Sequence, residues 1–261
     1  EWENPEVPLV VHRLDMDTSG VVAFAKHREV AAALNKQFRE RRVKKFYLAI
    51  CCGNPPDRFM VDEALQRDEN HDIAMRVTRS GEMSDQSKPS KTLFVTVARN
   101  VSLGQGGAAE SAALQWRLGD TRPFGSKLAL REGSNNPAPK EACLVCAIPL
   151  TGRTHQIRLH VAHAGFPIIG DPVYGLLCDA AMDRQALHAF KLQVVEAPPL
   201  VNRESFLAPL PQDMERCLQV LGIESRSVQD INAMVAEALL SQDDPFWGTT
   251  ESTKTEERMA E

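Results

Sequence analysis

The chain has 261 residues, of which 43% are hydrophobic, 25% charged and 6% aromatic, and its formal net charge is −5. This length and composition suit one large domain, or one domain plus an appendage, and they exclude collagen-like and fully disordered chains. No stretch approaches the roughly 20 apolar residues of a membrane span. Six cysteines are too few for a disulfide scaffold of this size, so we expect a reducing, intracellular location, with cytoplasm, nucleus or organelle left open.

The charge is unevenly distributed along the chain. Residues 1–212 hold 26 Lys and Arg against 24 Asp and Glu, a net charge of +2, whereas residues 213–261 hold 4 against 11, a net charge of −7. We therefore predict a domain over residues 1–212 and an acidic C-terminal tail over residues 213–261, helical at first and disordered over its last twenty residues.

Hydrophobic periodicity predicts strands that alternate irregularly with helices. Strands are expected at residues 20–26, 43–52, 73–78, 92–98, 112–118, 143–149 and 185–195. Helices are expected at residues 28–41, 154–164, 214–221 and 228–240. This order predicts an α+β domain with a mixed, mainly antiparallel sheet and flanking helices and loops. The polar region at about residues 80–140 is interpreted as an insertion.

Residues 26–45 form a strongly basic segment with eight Lys or Arg against two Glu. A local charge of this size is typical of a phosphate-binding surface, although a solvated helix face has the same signature. The strand that follows has period two, which places Lys45 and Tyr47 on its less apolar face. Tyr47 is therefore a candidate cleft residue.

Two segments carry side chains suited to chemistry. Residues 11–20 (VHRLDMDTSG) place Asp15 in a turn before a strand, where a substrate can reach it, although turn bonding explains the same pattern and Asp17 competes for either role. Residues 151–160 (TGRTHQIRLH) gather two Arg and two His around a helix start, which favours anions. Arg158 lies off the apolar stripe of that helix, so it is a candidate site residue or one half of a structural ion pair.

Five segments resemble, in order, the signatures of the RluA-type pseudouridine synthases. They are residues 12–20 (HRLDMDTSG), 45–49 (KFYLA), 152–160 (GRTHQIRLH), 165–175 (GFPIIGDPVYG) and 187–189 (LHA). The resemblance spans about residues 10–211 and implies the pseudouridine synthase fold. It also implies isomerisation of uridine to pseudouridine in structured ribosomal or transfer RNA. The bond from the sugar to nitrogen 1 of the base breaks, and the base is reattached through carbon 5.

The resemblance assigns expected roles to individual residues. Asp15 would be the essential nucleophile. The resemblance leaves open whether it attacks the sugar, attacks the base or abstracts a proton. Tyr47 would lie against the flipped base and assist proton removal from carbon 5, and Arg158 would pair with Asp15 and keep it ionised. The remaining candidates would bind the RNA: His12, Arg13, Lys36, Arg39, Arg42, Lys44, Arg153 and His155.

The same resemblance predicts the cofactor and partner requirements. A carboxylate nucleophile suffices for this reaction, so we expect neither a cofactor nor a metal. The expected partner is RNA, recognised by shape and by a splayed-out base, and neither DNA nor a membrane; we expect a monomer. Cys143 and Cys146 have the spacing of a metal or redox pair but fall in an apolar strand, which favours packing.

The beginning of the chain departs from the family pattern, and so does the polar region at about residues 80–140, which is longer than the corresponding part of the family's usual core. The chain begins eleven residues before His12 and lacks the family's upstream Lys-Pro-x-Gly segment, so we expect a catalytic domain without its N-terminal strand region. A catalytically silent RNA-binding or assembly factor of the same fold is therefore the main alternative function. An aspartate-dependent nucleoside hydrolase is a second alternative.

Overall fold

A computed structural model of the chain describes residues 8–78, 83–100, 139–175, 182–197 and 204–240. Within these residues the secondary structure follows in the order β1 (Leu9–Val10), β2 (Ser19–Gly20), β3 (Phe24–Ala25), α1 (Arg28–Arg39), β4 (Val43–Cys52), β5 (Arg58–Asp62), β6 (Leu65–Arg67), β7 (Met75–Val77), β8 (Lys91–Arg99), β9 (Ala142–Pro149), α2 (Gln156–His163), β10 (Leu187–Val194), β11 (Ser205–Leu207), α3 (Gln212–Val220) and α4 (Val228–Leu240).

One large sheet organises the described residues, in the strand order β11-β10-β4-β9-β8-β5 with antiparallel neighbours throughout. Strand β2 adds to β10 in parallel, so the sheet is mixed but mainly antiparallel, as predicted. The central strand β9 is buried along its whole length, which accounts for its unbroken apolar sequence. Two small antiparallel pairs, β1 with β3 and β6 with β7, lie outside this sheet.

Helix α1 packs its apolar stripe beside one end of the sheet. Val30 and Leu34 of the helix form a core cluster with Val43 of β4 and Leu192 of β10. Phe38 is packed against the same cluster, which leaves the helix's basic residues on the faces that point away from the core. The predicted amphipathic helix is confirmed, but it ends at Arg39, because Arg41 has a positive φ of 59°.

The strands predicted at residues 43–52, 92–98, 143–149 and 185–195 are confirmed to within two residues. The continuous buried strand predicted at residues 20–26 is wrong. Gly20 has φ of +118°, and the chain leaves β10 after two paired residues to form β3 against β1. A Cβ at Gly20 would lie 2.2 Å from the carbonyl oxygen of Ala189, so this crossing requires glycine.

Helix α2 begins two residues later than predicted. His155 adopts a left-handed conformation with φ of 54°, so the first helical residue is Gln156. The helix ends at His163, and Gly165, with φ of +93°, follows its cap as the sequence predicts.

Contacts divide the protein into two compact units, Glu1–Ser225 and Arg226–Glu261. Helix α3 therefore belongs to the first unit, beyond the predicted domain end at residue 212, and α4 belongs to the second. The strand predicted at residues 112–118, most of the predicted insertion and the predicted disordered tail lie outside the described residues. Among the helices that are described, none is both long and apolar enough to cross a membrane.

Candidate active site

Asp15 lies in a tight turn that precedes β2. The backbone N–H of Thr18 donates to the carbonyl oxygen of Asp15 at 3.1 Å and closes the turn. Side chains just before β10 hold the turn from outside, because the Gln185 amide donates to the Met16 carbonyl oxygen and Arg184 donates to that of Asp17 at 3.0 Å. The turn is therefore clamped to the large sheet.

Strand β2 continues this attachment beyond the turn. Ser19 and His188 are paired across β2 and β10, and the Ser19 hydroxyl lies 2.9 Å from Nδ1 of His188. Burial lowers the pKa of His188, which favours the neutral imidazole in this contact. The predicted strand at residues 187–189 thus supports the Asp15 turn directly.

Asp15 and Tyr47 line one cavity of about 540 Å³. Tyr47 enters it from the middle of β4, on the face that the period-two pattern predicts. Burial, with a further contribution from the Asp15 charge, raises the pKa of Tyr47 above its ordinary value. The phenol is therefore protonated at neutral pH. The cavity volume falls within the range typical of small-molecule sites.

Arg158 lies between two carboxylates. Its Nη1 is 4.0 Å from Oδ2 of Asp15, whose side chain is 22% exposed. Its Nε and Nη2 donate to the two oxygens of Asp171 at 2.6 Å each, and the Asp171 side chain has no exposed surface. The predicted pairing of Arg158 with Asp15 is present at ion-pair distance, but the closer, bidentate partner is Asp171.

Asp171 completes its own hydrogen bonds within the loop that follows α2. Its Oδ1 also accepts from the backbone N–H groups of Val173 and Tyr174 at 2.9 and 3.2 Å. Burial alone would lower the pKa of Arg158, but the hydrogen bonds and charge of Asp171, together with the charge of Asp15, raise it. The guanidinium therefore stays charged beside Asp15.

Tyr174 also packs against Arg158. Its ring centroid is 5.3 Å from the guanidinium carbon, and its hydroxyl accepts from the Met75 backbone N–H at 2.7 Å. The same hydroxyl is 3.0 Å from Nδ1 of His155. Burial, followed by the Arg158 charge, lowers the pKa of His155, which favours a neutral ring that accepts this bond. His155 is thus part of the support around Arg158 and lies outside the cavity lining.

The loop before α2 is held by Gln156. Its Oε1 accepts from the Thr151 hydroxyl at 2.7 Å and from the Arg153 backbone N–H at 3.0 Å. Its Nε2 donates to the Lys91 carbonyl oxygen and the Thr92 hydroxyl of β8. This buried amide therefore fixes the position of Arg153 at the cavity, a role that the sequence reasoning did not assign to it.

The cavity lining is strongly basic. Among the described residues that line it, Asp15 is the one carboxylate, whereas the cations are Arg13, Arg39, Arg41, Lys45 and Arg153. Of the predicted RNA-binding residues, His12, Arg13, Arg39 and Arg153 line the cavity, and Lys36, Arg42 and Lys44 lie outside this lining. Arg42 instead pairs with Glu196.

His12 has a clear structural contact as well as its place in the cavity. Its Nε2 accepts from the Ala23 backbone N–H at 2.8 Å, and its ring stacks on Phe38 with centroids 5.0 Å apart. Burial, with the nearby Lys45 charge, lowers the pKa of His12 to about 4, so the ring is neutral at neutral pH. His12 therefore adds no positive charge to the cavity.

The predicted site omitted three residues that line or support the cavity, namely Asp171, Gln156 and Lys45. Arg41, which also lines the cavity, belongs to the basic segment that was expected to contact phosphate. The signal for Asp171 was a lone carboxylate in the apolar run of residues 165–175, where burial demands a cationic partner. In the described part of the chain, no group of three or more His, Cys, Asp or Glu is arranged to hold a metal ion.

With this geometry in place, comparison with known proteins identifies the family. Residues 2–163 match the family model described as RNA pseudouridylate synthase. The chain therefore belongs to the RNA pseudouridylate synthase family. Its architecture is similar to that of human RNA pseudouridylate synthase domain containing 1, with 24% identity and a TM-score of 0.60 over 92% of this chain and 82% of that one. It is also similar to human RNA pseudouridylate synthase domain containing 4, with 20% identity and a TM-score of 0.59 over 84% of this chain and 78% of that one. The predicted fold class is confirmed.

Bacterial relatives are more similar in sequence. An uncharacterized RNA pseudouridine synthase of Chloroflexus aurantiacus is 34% identical over 82% of this chain and 54% of its own length. The ribosomal large subunit pseudouridine synthase D of Nitrosomonas europaea is 30% identical over 81% and 51%. The corresponding synthase C of Pasteurella multocida is 31% identical over 81% and 54%. The chain thus spans about half the length of these relatives.

Proposed function

We propose that this protein isomerises uridine to pseudouridine in structured RNA, with Asp15 as the nucleophile. The observation that carries the proposal is the placement of Asp15 at a basic cavity that Tyr47 also lines, within ion-pair distance of Arg158. A nucleophilic carboxylate must be accessible and correctly oriented, and the partial exposure of Asp15 and its contact with the charged Arg158 support both requirements.

Tyr47 supports the same reaction as a neutral phenol. Its raised pKa keeps the hydroxyl protonated, so it contacts the base with its ring and with a hydrogen-bonding hydroxyl. Removal of the proton from carbon 5 by this group would require its phenolate form, which burial disfavours. We therefore assign Tyr47 primarily to holding and orienting the base.

The substrate class follows from the charge of the cavity. Five cations against one carboxylate favour a polyanion, and phosphate contacts position a nucleic acid without reading its sequence. A uridine inside folded RNA must leave its stack to reach Asp15, at a cost of a few kcal/mol. The names of two relatives refer to the large ribosomal subunit, so we propose ribosomal RNA as the first substrate to test, with transfer RNA as the second.

The alternative of a silent RNA-binding factor is less well supported. Such a protein has no need to keep Asp15 and Tyr47 at one cavity, with Arg158 within ion-pair distance of Asp15. The nucleoside hydrolase alternative does not account for a cavity lined by five cations.

The direct test is isomerisation of unmodified transcripts of large-subunit ribosomal RNA and transfer RNA labelled with tritium at carbon 5 of uridine. Pseudouridine formation replaces the carbon 5 hydrogen, so tritium is released into water and carbodiimide mapping locates the product. Asp15→Asn should reduce the rate by at least about 10³-fold because the amide is a poor nucleophile.

Asp17→Asn is the matched control, two residues away in the same turn but outside the cavity lining, and should retain most of the activity. Isomerisation that survives Asp15→Asn contradicts the assigned mechanism. Binding of RNA without any tritium release supports the silent factor, and release of free uracil supports the hydrolase.

A further inference from the structure

Lys45 is a partly buried cation whose side chain has no acidic partner among the described residues. Its ammonium group makes no hydrogen bond or ion pair with any residue in the part of the chain that the structure describes. Elsewhere Arg158 pairs with Asp171 and Arg184 with Asp213, at 2.6 and 2.8 Å. Burial lowers the pKa of Lys45 to about 8, which reflects the cost of an uncompensated ammonium group.

The Lys45 amine is directed toward the cavity and the loop before α2. It lines the cavity, and its Nζ would lie 3.3 Å from a Cβ placed on Gly152. Asp15 is the one carboxylate of the cavity, yet its ion-pair contact is with Arg158 at 4.0 Å. The fold therefore places a desolvated cation at the cavity without supplying an anion to it.

Strand geometry limits where the missing anion lies relative to the base. Lys45 and Tyr47 are two residues apart on the same face of β4, so their Cα atoms are separated by about 7 Å. An anion held by Lys45 is therefore within one nucleotide of a base that lies against Tyr47. The anions that a polynucleotide carries at this range are its backbone phosphates.

We propose that Lys45 binds a phosphate group flanking the uridine that enters the cavity, so that the site selects a uridine within a polynucleotide over free uridine. This inference rests on the proposed function and adds a specific phosphate contact to it. Arg13, Arg39 and Arg153 also line the cavity, and in this arrangement they contact other phosphates of the polynucleotide.

The probes that test this inference are uridine 3′,5′-bisphosphate, uridine and inorganic phosphate, with binding measured by NMR titration of the full chain. Wild-type protein should bind the bisphosphate more tightly than either uridine or inorganic phosphate. Lys45→Met should weaken bisphosphate binding by about tenfold or more while leaving uridine binding unchanged, since one charge-assisted hydrogen bond is lost. Lys45→Arg should retain most of the affinity.

Lys140→Met is the matched control, because it removes the same charge from an exposed position outside the cavity lining. Thermal melting of each variant checks that it is folded. Equal bisphosphate affinity in wild type and Lys45→Met overturns the inference, as does undetectable binding by wild type or equal affinity for inorganic phosphate and the bisphosphate.

The tritium-release assay separates this inference from the proposed function. Lys45-dependent binding of the bisphosphate by a protein that isomerises no RNA supports the phosphate contact and contradicts the proposed activity. Unchanged isomerisation and unchanged bisphosphate binding in Lys45→Met contradict the phosphate contact alone.

Discussion

The two sides of helix α2 carry buried polar networks of opposite character. On one side Arg158 is charged, holds Asp171 tightly and reaches Asp15 at the cavity. On the other side His160 is fully buried, with Nδ1 2.9 Å from the Thr92 hydroxyl and Nε2 3.1 Å from the Glu63 carbonyl oxygen. Both ring nitrogens are thus bonded to neutral groups of the protein.

This difference separates a network that only supports the fold from one that includes the proposed nucleophile. The His160 network is closed, because its hydrogen-bonding capacity is satisfied inside the fold. The Arg158 network is asymmetric, since Asp171 fixes the guanidinium and leaves one nitrogen directed at the partly exposed Asp15. The buried Asp171 keeps Arg158 in place, and the partial exposure of Asp15 leaves that carboxylate available to a substrate.

The largest expected effect on stability comes from Asp171→Ala. Removing this carboxylate leaves Arg158 buried without its bidentate partner, and breaking a buried ion pair costs about 3–5 kcal/mol. Urea denaturation measures the change. Asp57→Ala is the control, because the Asp57 side chain is 91% exposed beside Arg99 and its loss should cost less than about 1 kcal/mol. Equal losses in the two variants would show that Asp171 is not the structural partner.

The His160 network predicts a loss of stability in acid. Burial lowers the pKa of His160 to about 4, because it outweighs the opposing effects of the Glu63 carbonyl hydrogen bond and the Asp62 charge, and His163 adds to the lowering. An unfolded histidine titrates near 6.5. Between these values the unfolded chain binds more protons than the folded one, so stability falls as pH is lowered from about 6.5 to about 4. This single group contributes up to about 3 kcal/mol to that fall.

Denaturation of wild type and His160→Gln across this pH range tests the assignment. The variant is less stable at pH 7 but should show a shallower dependence on pH, because its side chain does not titrate. His71→Gln, in the loop between β6 and β7 and outside the His160 hydrogen bonds, should retain the wild-type slope. Parallel curves for wild type and His160→Gln would mean that other groups cause the acid lability.

The smallest expected change in stability is that of Asp15→Asn. Its oxygen is 4.0 Å from Arg158 and its side chain is partly exposed, so the lost attraction is worth less than about 1 kcal/mol. The same substitution is expected to abolish isomerisation. A destabilisation as large as that of Asp171→Ala would place Asp15 among the structural residues and remove the distinction between the two carboxylates.

Local sequence patterns predicted much of the fold and part of the site. The period-two pattern of residues 43–52 predicted β4 at its observed bounds and placed Tyr47 toward a cleft, since alternation within a strand is a local property. The motif around Asp15 and the helix carrying Arg158 were likewise recognised from short segments. The roles assigned to these residues stay predictions until the variants are measured.

Features of the structure that depend on contacts between residues far apart in the sequence were not predicted. The strand expected at residues 20–26 is interrupted because Gly20 crosses β10 closely, a contact between residues more than 160 positions apart. The basic segment was treated as one surface, but Arg42 pairs with Glu196 while Arg39 lines the cavity. The order of residues in the sequence does not show which Lys and Arg side chains form ion pairs with Asp or Glu in the folded protein.

The sequence by itself determined the fold class and the family and supplied the candidate side chains for the chemistry, because these depend on local periodicity and on short motifs. Only the tertiary structure decided that Arg158 holds Asp171 closely and Asp15 at ion-pair distance, and that Lys45 has no acidic partner within the described residues. The physical reason is that ion pairing and desolvation are set by groups brought together from separate elements, and burial decides which of them remain available to a ligand.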